Sequence, residues 1–211
     1  MVIHRDIKQG TDEWLELKQL KLSASNATAI GANGAGLKTL VNDLILNKIK
    51  PDRDRYYGKD MERGDELEPI GRVKYELEKG VEVEEVGFIT NCDYSGYSPD
   101  GLVEIDHLKE GPGLLEIKAR NDAKHLALLR GGAPESGVRN QMQFGLMVTG
   151  RKWCDFISYN PNFKQSLFVK RFYVDPTYQA KLKLGLEAGI KMLKEALAEE
   201  SVKTELATQV Q

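Results

Sequence analysis

Apolar residues recur along this chain with two periods, one helical and one extended, in alternating blocks. Trp14, Leu15, Leu17 and Leu20 follow Gly10 and Thr11, which predicts a first amphipathic helix capped by Thr11 or Asp12. Ser23, Ala24 and Ser25 open a second, short helix, and Leu37, Leu40, Val41, Leu44 and Ile45 mark a third. From Met61 to Lys79 the spacing of Leu67, Ile70, Val73 and Leu77 predicts a helix with one buried stripe. Pro69 is tolerated only in a first turn, so the regular part is expected to start near Leu67 or Glu68. Strands are predicted over 81–89, with Val81, Val83 and Phe88 inward, and over 102–105, 114–119, 151–159 and 167–174. Two further helices are expected over 122–130 and 138–148. A final one starts at Pro176 with Leu182, Leu186, Ile190, Leu193 and Leu197 on one stripe, and residues beyond Ser201 are expected to fray. About five strands interleaved with helices predict an α/β domain built on a central mixed sheet flanked by α-helices.

Two of those strands carry the candidate chemistry. Ser98, Pro99, Asp100 and Gly101 have turn character, because Pro presets φ, Asp bonds its own backbone and Gly accepts positive φ. Leu102, Val103 and Ile105 then form a strand, Gly111 to Gly113 reverse the chain, and Leu114 to Ala119 form the partner. Alternate residues share a face, so Glu116 and Lys118 point together while Leu115 and Ile117 face a core. Oxygen-only ligands suit a hard cation such as Mg²⁺. Asp100 and Glu116 would hold it, with the Ile117 carbonyl as a third ligand, and Lys118 would orient or deprotonate a water. Glu-x-Lys by itself is a poor signal: Glu16, Leu17 and Lys18 repeat it in a predicted helix, where a solvated pair suffices.

Asp100 with Glu116, Ile117 and Lys118 resembles the PD-(D/E)xK nuclease signature. The wider pattern is similar to the YqaJ-type viral recombinase nucleases, the lambda exonuclease-like group. Trp14 with Leu17 and Lys18, Ser23 to Ser25, Arg63 and Gly64, Glu68 and Pro69, Tyr75 and Glu76, Gln141 to Gln143 and Val148 to Gly150 follow in the order of that family. The resemblance implies one restriction-endonuclease-like domain over residues 1–211. It further implies a Mg²⁺-dependent 5′-to-3′ exonuclease, with Mn²⁺ able to substitute, acting on ends of double-stranded DNA. The 3′ overhang would go to a phage single-strand annealing protein, and a homotrimer is the family precedent. It places Glu68 in the metal site, where the unaided reading is a helix-start acid. It makes Gln143 a residue that orients water or substrate near the metal. Only one of Gln141 and Gln143 can face the site, since they lie about 200° apart on a helix. It assigns Lys18 and Ser25 to the 5′-terminal phosphate, although lysine lacks the bidentate fork of the arginine common at that place. On residues alone, Ser25 is an N-cap.

Composition narrows the picture little. Charged residues make up 29% and hydrophobic residues 41% of the 211, as in a soluble globular domain, and a net charge of −2 confines DNA contact to local basic patches. Two cysteines, Cys92 and Cys154, are too few for a four-thiolate cluster or a disulfide framework. Without an apolar run of membrane-spanning length, a reducing cytoplasm is expected. Gly31 to Thr39 misses a nucleotide-binding loop because Leu37 separates Gly36 from Lys38. Pro51 to Tyr57 reads as a charged connector whose arginines and tyrosines could meet DNA. An endonuclease with the same core, and a DNA-binding protein with an inactive site, are the alternatives.

Overall fold

The computed structural model describes residues 1–51 and 58–207, so the connector ending at Tyr57 lies, Pro51 apart, outside the described residues. A five-stranded mixed sheet has the order β3 (Val83–Glu84), β6 (Gly101–Val103), β7 (Gly113–Ala119), β8 (Trp153–Tyr159), β9 (Leu167–Tyr173). Within this sheet β7 and β8 run parallel and the other neighbours antiparallel, and the crossover between β7 and β8 holds α5 (Asp122–Leu129) and α6 (Ser136–Thr149). Both faces of β7 are covered, which explains its nearly unbroken apolar run. Leu115 and Ile117 pack with Tyr75, Val103, Trp153 and Ile157, while Leu114 joins Met142, Phe144 and Phe156 on the other side.

A second sheet was not foreseen: β1 (Val2–His4), β4 (Phe88–Cys92), β5 (Ser95–Tyr97) and β2 (Leu22–Ser23) pair in that order. The segment expected as one strand over 81–89 is therefore divided, with Val83 in the large sheet and Phe88 in the small one. The remaining helices are α1 (Asp12–Lys18), α2 (Ala27–Ala32), α3 (Ala35–Ile49), α4 (Lys59–Lys79), α7 (Pro176–Ala198) and α8 (Glu200–Ala207). Asp175 caps α7 through Tyr178 N–H at 3.0 Å, as its Asp-Pro start predicts. Residues 201–207, expected to fray, are helical, and Val202 packs against the cluster of Val41, Ile45 and Leu193. Among the described residues no helix is long and apolar enough to cross a membrane.

The helix over 59–79 corrects the apolar stripe. It starts eight residues before Leu67, carries Pro69 inside it, and leaves Ile70, Val73 and Leu77 exposed at 49%, 55% and 80%. Its covered face runs through Leu67, Gly71 and Tyr75. Gly71 lets α4 lie close on the large sheet, since a Cβ there would sit 2.9 Å from Tyr159 Cβ. Gly71→Ala gains at most about 1 kcal/mol of helix propensity but overpacks the contact by about 1–3 kcal/mol. We expect a net fall in Tm by a few degrees, read by thermal denaturation.

Candidate active site

The chemistry gathers where β7 meets the turn before β6. Asp100 stands one residue ahead of β6, and its Oδ2 accepts the Ile117 N–H at 2.7 Å. Lys118 Nζ lies 2.7 Å from Glu116 Oε1, 3.5 Å from Asp100 Oδ2, and donates to the Ile117 carbonyl at 2.7 Å. Its ammonium thus touches the three oxygen donors that the sequence nominated for a metal. The contact with Glu116 is a close ion pair without hydrogen-bond alignment, so both fully buried Glu116 oxygens have no hydrogen-bond donor. Glu68 comes to the same place from α4, not from a helix start. It lies close enough to Asp100 and Lys118 for their charges to act on it.

Three carboxylates share one ammonium here, and the electrostatics follow. Burial, with Asp100 adding to it and Lys118 opposing it, pushes the Glu116 carboxyl up to about 8. Burial and then Asp100 raise Glu68 to about 7. Burial works against the Lys118 charge, but Asp100, Glu116 and Glu68 outweigh it and hold the amine above its usual value. In this arrangement the three carboxylates thus favour the ammonium form of Lys118.

Among the described residues no three Asp, Glu, His or Cys side chains converge tightly enough to hold an ion as they stand. The Lys118 ammonium lies among the oxygens of Asp100, Glu116 and Ile117. The donor chemistry still fits a hard divalent cation: carboxylates and a carbonyl, with two buried Glu116 oxygens lacking donors. Two clefts flank the cluster. One of about 630 Å³ is lined by Arg5, Lys8, Arg72, Glu68 and Asp100. The other, about 300 Å³, is lined by Arg63, Glu68, Lys118, Arg120 and Lys124. Arg63, Arg120 and Lys124 were not singled out from sequence as site residues. Their signal was the run of cations just past the end of β7, to which Arg63 is tied through the Ala119 carbonyl at 3.0 Å.

Lys18 and Ser25 line one separate cavity of about 540 Å³ with Lys21, Lys48, Asn26 and Asp43. Ser25 is not an N-cap. It lies inside a 3-10 turn, with its Oγ 3.1 Å from Ser23 Oγ, and Asn26 precedes α2. Lys18 Nζ lies 3.8 Å from the centroid of the Trp14 ring. Gln143 is placed away from the acid cluster. Its Nε2 donates to the Tyr173 carbonyl at 2.7 Å and its Oε1 accepts the Asp175 N–H at 2.9 Å, joining β9 to α7. Both ends of this amide are thus taken by backbone groups. His125 is packed, spanning Ser158 Oγ and the Gln165 carbonyl at 2.8 and 2.9 Å.

A mixed α/β core with acids and a lysine at the end of a parallel strand pair defines a nuclease-type fold. The chain belongs to the YqaJ-like viral recombinase domain family, matched over residues 13–152. Among solved structures it is similar to an alkaline exonuclease, LHK-Exo, from Laribacter hongkongensis, at 30% identity and a TM-score of 0.79. The match covers 94% of this chain and 100% of that one, and the same values hold for LHK-Exo in complex with dAMP. A phage related exonuclease from Haemophilus somnus 129PT, at 14% identity and a TM-score of 0.63 over 87% of this chain and 97% of that one, shares the fold. Comparison with curated proteins gives no match.

Proposed function

We propose that this protein is a divalent-metal-dependent exodeoxyribonuclease that digests duplex DNA from a 5′ end and leaves a 3′ overhang. The observation that carries the reading is the convergence of Asp100, Glu116, Glu68 and Lys118 at one strand end, in a chain of a viral recombinase family similar to an alkaline exonuclease. Asp100, Glu116, Glu68 and the Ile117 carbonyl would hold Mg²⁺ or Mn²⁺. Such an ion lowers the pKa of a bound water and offsets charge on phosphate oxygens. The Ile117 N–H fixes Asp100, the attacking water gives up its proton to bulk solvent, and the Lys118 ammonium, released from its carboxylates, would orient that oxygen and balance charge on the phosphate. The cavity of Lys18, Lys21, Lys48 and Ser25 takes the terminal 5′ phosphate, a small anion matched by three ammonium groups against one carboxylate. A resulting 3′ single strand is the substrate of an annealing protein, which places the enzyme in recombination.

Purified protein incubated with linear and closed circular duplexes, with Mg²⁺ or chelator, tests this. Linear DNA alone is expected to be degraded, and only with metal; cutting of circles would make the protein an endonuclease. Removing the 5′ phosphate is expected to slow digestion of linear DNA by about tenfold, the loss of one charge-assisted contact. Ser25→Ala with Lys18→Ala is expected to erase that difference, and equal rates on both ends with wild-type protein would remove the phosphate pocket from the account.

A further inference from the structure

Tyr97 ends β5, three residues before Asp100, and is fully buried. Its ring reaches out of the small sheet into the layer between α6 and β7. Gly145 of α6 makes the room: a Cβ there would meet Tyr97 Cζ at 2.7 Å and Leu114 Cδ1 at 3.1 Å. The hydroxyl end of the ring therefore lies over Leu114. Glu116 is the next residue along β7 on that same face, because side chains two apart in a strand point the same way. Tyr97 Oη has no hydrogen-bond partner, and neither Glu116 oxygen has a donor. A donor without an acceptor and an acceptor without a donor thus share one closed layer. Native proteins rarely leave buried polar groups unsatisfied, and a catalytic role or a bound ion is among the reasons for which they do. A phenol keeps its proton at neutral pH, so this hydroxyl serves as a donor.

We propose that Tyr97 is a positioning residue whose hydroxyl donates to the Glu116 carboxylate when that group is ionised and turned toward a divalent cation. The role rests on the metal-dependent reading above. Lys118 Nζ lies 2.7 Å from Glu116 Oε1, and a cation held there would displace it. With one Glu116 oxygen given to a cation, the other would need a fixed donor to hold the carboxylate plane. Tyr97 supplies it from beneath, and Gly145 keeps the path open.

Tyr97→Phe tests this in the full chain by two readouts that do not depend on turnover. Titration calorimetry with Mg²⁺ in the absence of DNA is expected to show affinity about 10–100-fold weaker than wild type, the usual cost of losing the partner of a metal ligand. Thermal denaturation in chelator is expected to show the variant no less stable, because the hydroxyl it lacks had no partner in that state. In cleavage assays kcat at limiting Mg²⁺ falls while KM for DNA stays. Unchanged Mg²⁺ affinity overturns the proposal, and so does a fall in Tm in chelator with affinity unaltered, since that marks a merely structural hydroxyl. Wild-type protein that neither binds Mg²⁺ nor cleaves DNA overturns this role together with the function it rests on.

Discussion

Replacing Lys118 with Met is expected to abolish cleavage and, in the same protein, to tighten binding of a divalent cation. The two effects have one origin. The ammonium lies within 2.7 Å of both the Glu116 carboxylate and the Ile117 carbonyl, so it competes for the oxygens an ion would use. Deleting it removes a positive charge a few ångströms from a doubly charged ligand. Even at an effective dielectric of about 20 that repulsion amounts to several kcal/mol, so an affinity gain of at least about tenfold is a conservative expectation. Catalysis moves the other way, because no donor remains to orient the water and balance the phosphate, and losses of about 10²–10⁴-fold are typical for such groups. Calorimetric titration with Mg²⁺ and single-turnover digestion of a linear duplex measure the two halves. Weaker metal binding with full activity would contradict the placement of this lysine in the reaction.

Glu116→Gln is expected to stabilise the metal-free protein at alkaline pH and to leave it little changed near pH 5. The folded-state carboxyl titrates at about 8 against the model-peptide value of 4.5, so the folded protein holds a proton that the unfolded chain has released. Between those two values each rise in pH costs the wild-type protein stability, and above about 8 the full cost is present. The amide has the same shape and no proton to lose, so it escapes that penalty, on the order of a few kcal/mol for a shift of this size. Melting curves at pH 5, 7 and 9 in chelator would show the variant and wild type diverging as pH rises. Parallel curves would mean that Glu116 is ionised throughout. Cleavage by the variant should be lost at every pH, since a neutral amide is a poor ligand for a hard cation.

The hairpin chemistry was legible because it is local. Asp100, Glu116 and Lys118 lie on one turn and one strand, and the period of two settles which side chains share a face. Glu68 was a different matter: nothing in its own helix pattern points to the site, and Pro69 suggested a boundary where the helix in fact runs on. The covered face of α4 was hidden because it uses Gly71, which bears no side chain to count, while Ile70, Val73 and Leu77 show a helical period on an exposed face. The small sheet escaped because most of its strands are two or three residues long, too short for alternation to show. Gln141 and Gln143 could be told apart only by their surroundings. Backbone groups of Tyr173 and Asp175 take both ends of the Gln143 amide, and no pattern in residues 138–148 announces partners thirty positions away.

Asp100 stands where the chain leaves one sheet for the other, after β5 of the four-stranded sheet and before β6 of the five-stranded one. An acid at such a crossing is positioned only while both halves of the molecule keep their relative seating. Loosening of the minor sheet alone would silence the enzyme while most of its helices and its major sheet persisted, so warming should extinguish turnover before it erases the bulk of the circular dichroism signal.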